Sequence, residues 1–275
     1  TQTMLTKEKK GSLLWVLEKT KTAMGRRMLR SFIEQPLISL LEIDKRQNAI
    51  EELVSNTVMR GETREYLVGI RDMERLLSKI VYGSATARDL LTVAETCGKL
   101  PILKEALSFG NSRLIKDIYN SLDTLEDIYG LITFAISEDA PNTVREGGMF
   151  KKGYNAQLDS LIDIVEKGAS FILDIEQRER ERTGIKNLKV RYNRVFGYYI
   201  EVSNSFLNMV PDDYIRKQTL TNGERFFTEE LKSFEGKLLG AKEKRERLEY
   251  ELFEEIRLKV AENLKRFQKT SEAIA

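Results

Sequence analysis

Histidine is missing from this chain altogether, and cysteine occurs once, at Cys97. A lone thiol cannot close an internal disulfide, and zinc or iron sites of the Cys/His type are excluded together with the histidines. The commonest general base is also gone. Only four prolines occur in 275 residues, which favours long helices. No window approaches the roughly 18 uninterrupted apolar residues that a membrane span needs, and the N-terminus lacks a basic, apolar, small-residue leader pattern. An intracellular, cytoplasmic setting without membrane association is therefore expected.

The chain is 32% charged and 41% hydrophobic, which places it among soluble globular or long-helical proteins. Its net charge of +2 is informative only through its distribution. Residues 185–227 carry seven basic side chains against four acidic ones, so this stretch holds the whole positive surplus. Tyr192, Phe196, Tyr198, Tyr199, Phe206, Tyr214, Phe226 and Phe227 lie in the same stretch.

Residues 1–136 are expected to form a helical body. Leu13, Leu14, Val16 and Leu17, then Met24, Met28, Leu29, Phe32 and Ile33, mark two helices, the second stopped before Pro36. Leu40, Ile43, Ile50 and Leu53 continue the periodicity, with Ser39 or Asp44 as a cap. Further helices are predicted around 60–68, 72–81, 85–100, 101–108 and 112–136, none with strand alternation. Ser137 to Gly153, with Pro141 and the Gly147-Gly148 pair, is predicted as a surface linker and domain boundary.

From 154 to 184 the apolar residues Leu158, Leu161, Ile162, Val165, Ala169, Ile172 and Ile175 form one stripe of an outgoing helix, closed at Gly184. A returning helix from 228 to 275 carries the matching stripe Leu231, Phe234, Leu238, Ala241, Leu248, Leu252, Ile256, Val260, Leu264 and Phe267. Two narrow stripes flanked by charge suit an antiparallel coiled-coil arm. About 30 residues outward span about 45 Å and nearly 50 returning span about 70 Å, so the surplus of the second helix is expected to pack on the body. The charged run from Glu176 to Arg182 reads as a solvated helix end, with contact to a polyanion as the other option.

Between the two helices the period changes from 3.6 to 2. Leu188, Val190 and Tyr192 alternate with Lys189, Arg191 and Asn193, and Tyr198, Ile200 and Val202 alternate with Tyr199, Glu201 and Ser203. Two further strands are predicted at 214–220 and 225–227, joined across Thr221-Asn222-Gly223-Glu224. The fold class is thus mainly α, with a small four-stranded antiparallel sheet at 185–227 on the tip of the arm.

No nucleotide-binding fingerprint is present: the Gly236 to Lys242 segment lacks the Gly-Lys-Ser/Thr ending and lies inside a helix. The acidic pairs Asp212-Asp213 and Glu229-Glu230 fit a turn and a helix N-terminus, so no catalytic site or resident cofactor is expected in this chain. Lys189, Arg191, Asn193, Arg194, Lys217, Thr219, Thr221, Asn222 and Arg225 fall at turns or on the polar face, as phosphate-backbone contacts would. No helix is offered for base readout. An ordinary soluble sheet with surface lysines and arginines is the bland alternative. A coiled-coil spacer whose aromatic tip docks a protein is another, with a shallow rather than steep salt dependence.

These residues resemble the bacterial MutS DNA mismatch-repair family over its core (lever) and clamp regions. The likeness is carried by Gly11-Ser12-Leu13-Leu14-Trp15-Val16-Leu17, by residues Thr20 to Leu29, and by Glu34-Gln35-Pro36-Leu37. Arg71-Asp72-Met73-Glu74-Arg75 with Arg88-Asp89-Leu90 extend it, as do Leu188 to Asn193, Gly197-Tyr198-Tyr199-Ile200 and Arg216 to Phe226. Phe32 stands where the family often has Trp, and Gly223 where alanine is common.

The resemblance implies one of two levers of a homodimer whose clamp tips close on double-stranded DNA without reading sequence. Arg194, Lys217, Thr221 and Asn222 then look like the residues nearest the phosphates. It also implies a parent that uses ATP and magnesium, works with a MutL-type partner and associates with the bacterial nucleoid. Nothing here looks like the family's N-terminal Phe-X-Glu mismatch reader or its C-terminal ATPase with Walker motifs, so the chain is expected to be a fragment. A specialised relative without mismatch reading would share the same region.

Overall fold

The computed structural model describes residues 2, 7–144, 147–193, 195 and 197–275. In chain order the elements are α1 (Leu13–Leu17), α2 (Ala23–Glu34), α3 (Leu40–Ser55), α4 (Thr57–Tyr66), α5 (Met73–Val81), α6 (Ala87–Cys97), α7 (Leu100–Ala106), α8 (Arg113–Ser121) and α9 (Glu126–Ala135). They continue with α10 (Ala156–Thr183), β1 (Lys189–Asn193), β2 (Gly197–Ser203), a 3-10 turn (Asn204–Met209), β3 (Ile215–Leu220), β4 (Gly223–Phe227), α11 (Glu229–Glu262) and α12 (Leu264–Ile274). The fold is mainly helical with one small antiparallel sheet, as expected. Two compact units result, Thr1–Lys151 with Glu251–Ala275, and Lys152–Tyr250.

In the first unit, short polar side chains start the helices. Thr22 Oγ1 accepts from Gly25 N at 3.0 Å and Asn56 Oδ1 from Met59 N at 3.0 Å, while Thr86 and Asp89 form a reciprocal capping box. Ser39 occupies the cap position of α3 without a capping hydrogen bond. Leu90, Val93, Ala94 and Cys97 of α6 are buried, as are Ile128, Ile132 and Ala135 of α9.

Two expectations for this unit need correction, and a third is incomplete. The stretch 112–136 is two helices, α8 and α9. The chain breaks at the fully buried Leu125, whose φ of 52° is left-handed and whose N–H donates to Asp123 Oδ1 at 3.0 Å. The break is held from far along the chain: Arg266 Nε donates to Asp123 Oδ2 at 2.7 Å, and Asp123 N donates to Thr270 Oγ1 at 3.1 Å. The returning helix is also interrupted, at Asn263, whose amide donates to Lys259 O at 2.8 Å and whose Oδ1 accepts from Arg266 at 3.0 Å. A side chain that bonds its own backbone in this way competes with the helical ladder. Finally, the segment after α9 lies at the surface with Glu138, Asp139, Asn142, Thr143 and Gly148 exposed, but it is also anchored to the body. Ile136 bridges Phe150, Ser137 N donates to Met149 O at 2.8 Å, and Ala140 and Met149 are fully buried. Arg145 and Glu146 of that segment lie outside the described residues.

In the second unit, Asn155 Oδ1 caps α10 by accepting from Leu158 N at 3.0 Å, and Gly184 closes it in the left-handed conformation at φ 71°. Thr228 Oγ1 accepts from Leu231 N at 3.2 Å and starts α11. Leu231 shares a buried cluster with Ile175, the Phe171 and Phe234 ring centroids lie 4.2 Å apart, and Gly168 leaves room for Leu238. Partner numbers fall as α10 numbers rise, so the two helices run antiparallel along this stretch.

The sheet order is β1-β2-β4-β3, all antiparallel. Val190, Ile200, Val202 and Phe226 face Ile175, Ile185, Leu188, Tyr214 and Leu231. The β3–β4 connection differs in detail from the expected Asn-Gly hairpin. Leu220 pairs with Gly223, so Thr221 and Asn222 alone form the loop and Gly223 already belongs to β4. There a Cβ would stand 2.5 Å from Val202 O, so the glycine admits the neighbouring strand closely.

Candidate nucleic-acid interface

With one face of the sheet occupied by the core, the other presents the remaining side chains of each strand. Alternation puts Lys189, Arg191 and Asn193 on this face. The register runs Lys189, Glu201, Arg225 and Gln218 in one row across all four strands. The neighbouring row begins with Arg191 opposite Tyr199. A bulge between Arg216 and Gln218 turns Lys217 toward this side, where its ammonium lies 5.2 Å from the centre of the Phe227 ring. Lys232 of α11 approaches the same ring at 5.5 Å. Phe227 thereby gathers two cations that are distant in sequence, and Lys232 is a member that pattern reading did not find.

The residues singled out from sequence do not all stand together. Lys189, Arg191 and Lys217 are exposed on the basic face. Arg225 is also on that face but is engaged within the sheet: Nη1 donates to Gln218 Oε1 at 2.8 Å, Nε lies 3.5 Å from Glu201, and the guanidinium covers the Tyr199 ring at 4.3 Å. Thr219 pairs with Glu224, which pairs with Val202, so Thr219 projects from the opposite face. Thr221 and Asn222 are exposed at the loop beside Ser203, and their carbonyls accept from Asn204 at 3.0 and 3.2 Å. Asn193 lies at the other end of β2, opposite Gly197, and its Oδ1 accepts from Val195 N at 2.8 Å. Six strand steps, about 20 Å, separate these two ends. Arg194 and Phe196 lie outside the described residues.

The charged run at the end of α10 is a joint between helix and sheet rather than a solvated helix end. Glu176 Oε2 accepts from Val190 N at 2.8 Å, and Arg180 Nε donates to Leu188 O at 2.7 Å. Glu179, only 6% exposed, accepts from Tyr214 Oη at 2.8 Å. Arg182 pairs with Glu179 and with Asp213, and Arg178 with Glu230 of α11. Burial, followed by the neighbouring Glu179, raises the Tyr214 phenol above its ordinary range. The hydrogen bonds that Arg182 donates to Asp213 and Glu179 hold it firmly protonated. Interleaved charge was the only trace of this joint in the sequence, because the partners lie up to 52 residues away.

Among the described residues, no group of three or more acidic or cysteine side chains is placed to hold a metal, and no helix is long and apolar enough to cross a membrane.

Fold and basic face together define a helical protein carrying a cationic antiparallel sheet. The family model for MutS domain III matches residues 1–275, and the chain belongs to that family. It is 52% identical, over its full 275 residues, to the DNA mismatch repair protein MutS of Lachnoclostridium phytofermentans, of which it covers 30%. Identity is 48% to the proteins of the same name from Acetivibrio thermocellus and Caldicellulosiruptor bescii, again over 100% of this chain and 32% of each relative. The chain thus spans about a third of the length of the curated relatives it matches.

Proposed function

We propose that this chain serves DNA mismatch repair as a lever and clamp element that holds duplex DNA by its phosphate backbone, without catalysis of its own. The observation that carries the reading is the outward face of the sheet, where Lys189, Arg191 and Lys217 are exposed and Lys232 joins them. Side chains spread over strands and a helix suit a charged rail, whereas base readout calls for an element that enters a groove. The antiparallel contacts of α10 with the start of α11 support reading these helices as a coiled-coil arm beneath the sheet. Thr221 and Asn222 would add hydrogen bonds at one end of the sheet and Asn193 at the other, and the family likeness adds Arg194 to the residues that meet the phosphates.

In the longer proteins of the family, ATP and magnesium would act in a separate part of the molecule. Two such arms would face each other across the DNA in a homodimer, a MutL-type protein would read the result, and the setting would be the bacterial cytoplasm at the nucleoid. These roles rest on the family likeness.

The test is charge reversal at Lys189, Arg191 and Lys217 together, with Arg194 reversed in a second variant, in the purified 275-residue chain. Binding to labelled perfectly paired and singly mismatched duplexes is then measured. Starting affinity should lie in the nonspecific range of roughly 10⁻⁴ to 10⁻⁶ M, and both duplexes should weaken by the same factor. A loss confined to the mismatched duplex would overturn the clamp reading. Affinity insensitive to salt and to the reversals would favour a protein-docking tip instead.

A further inference from the structure

Lys189 and Arg191 flank Val190 on β1, the outer strand of the sheet. An edge strand leaves every second N–H without a ladder partner, so its position depends on whatever satisfies those groups. Here the Val190 N–H is taken by the Glu176 carboxylate at 2.8 Å. Arg180, which pairs with Glu176, donates to the Leu188 carbonyl at 2.7 Å. Acceptor and donor therefore hold the backbone on both sides of Lys189 from a single helical turn.

The second strand of the same hairpin is tied to the other helix. Gly197 adopts φ +71°, and a Cβ there would fall 1.8 Å from Glu235 Oε1 of α11. The glycine leaves a notch into which the carboxylate fits, and the Tyr198 N–H donates to it at 3.3 Å. One hairpin is thus bound to α10 through Glu176 and to α11 through Glu235. Arg178 and Glu230 join the two helices directly.

We propose that Glu176 and Glu235 are positioning residues: the two carboxylates bind the β1–β2 hairpin to two different helices and so hold Lys189 and Arg191 in a fixed presentation to the DNA backbone. The inference rests on the clamp reading for its DNA consequence, but the tie itself is independent of it. Neither carboxylate touches a phosphate; each acts through the backbone of the strand that carries the cations. Movement of either helix is passed to the basic row without slack, and axial sliding of one helix past the other strains the hairpin.

The experiment compares Glu176→Ala, Glu176→Gln, Glu235→Ala and Glu235→Gln in the full 275-residue chain. Amide hydrogen exchange at Val190 and Tyr198 reports the tie, and duplex affinity across a salt series reports its consequence. Each alanine variant should lose about tenfold protection at its own amide, the order expected for one hydrogen bond to a charged acceptor. Each should also bind duplex several-fold more weakly, with an unchanged log-log salt slope, because no phosphate contact is removed. Each glutamine variant keeps a carbonyl acceptor and should recover most of both. Should an alanine variant lose cooperative folding, the glutamine variant with the Val190 and Tyr198 protection of the parent chain still tests the tie. Unchanged protection in the alanine variants, or a reduced salt slope, would overturn the proposal. Loss of protection in a chain that shows no salt-dependent DNA binding would uphold the tie and refute the clamp reading instead.

Discussion

Neutralising one cation of the basic face should change the salt dependence of duplex binding by a calculable amount. Among the described residues Lys189, Arg191, Lys217 and Lys232 gather there, and Arg225 is engaged by Gln218, Glu201 and Tyr199. If each of the four meets one phosphate, together they contribute about −3.6 to the log-log slope, a factor of about 150 in affinity between 50 and 200 mM salt. Arg191→Gln should bring that contribution to about −2.7, a factor of about 40 over the same range, so the measured slope becomes shallower by about 0.9. Arg225→Gln should leave the slope alone while lowering the melting temperature, because it removes bonds internal to the sheet. Fluorescence anisotropy of a labelled duplex across four salt concentrations measures the slope directly. A slope that ignores Arg191→Gln but falls with Arg225→Gln would refute the assignment of the face.

Tyr214→Phe removes the hydroxyl bonded to the buried Glu179 and should cost about 1 kcal/mol in urea unfolding, since Arg182 still pairs with that carboxylate. Ile200→Ala empties a fully buried position of the sheet core and should cost about 2 to 5 kcal/mol in the same assay. The Cys97 thiol is 1% exposed, and burial pushes it up to about 12, so a thiol reagent at pH 8 should label it only after denaturation. Hydrogen bonds from Arg266 hold Asp123 and Asp127 below the ordinary 3.8. The unfolded chain then binds more protons than the folded one in that range, so this contribution is complete above about pH 4 and is lost as pH falls further. Arg266→Met should flatten the acid limb of a stability-against-pH curve, and an unaltered limb would contradict the linkage.

Periodic features were the legible ones. The apolar stripe of α10, the alternation of β1 and β2 and the stop at Gly184 each follow from one side chain every third, fourth or second residue. Backbone sterics and burial repeat at that interval, and a single chain displays the repeat. The face bearing Lys189 and Arg191 was legible for the same reason: alternation decides it without reference to any partner. Thr219 was misplaced because the bulge at Lys217 resets the alternation of β3. A bulge of that kind leaves no periodic mark.

What escaped the sequence depends on pairs distant along the chain. Leu125 takes a left-handed turn beside Asp123, which is held by Arg266 and Thr270, 143 and 147 residues away. Composition around Leu125 gives no reason to end a helix there. Likewise, the run from Glu176 to Arg182 has the spacing of helix-surface ion pairs, and local reasoning assigns it to solvent. Its carboxylates and guanidinium groups instead reach the edge of a sheet that offers unpaired N–H and C=O groups. Such an edge needs polar partners wherever it is covered, whereas the sheet interior needs only apolar ones. A dense alternation of charge next to a short sheet is therefore better read as the covering of that edge. Val190 N and Leu188 O, both met from α10, are the groups that make the difference here.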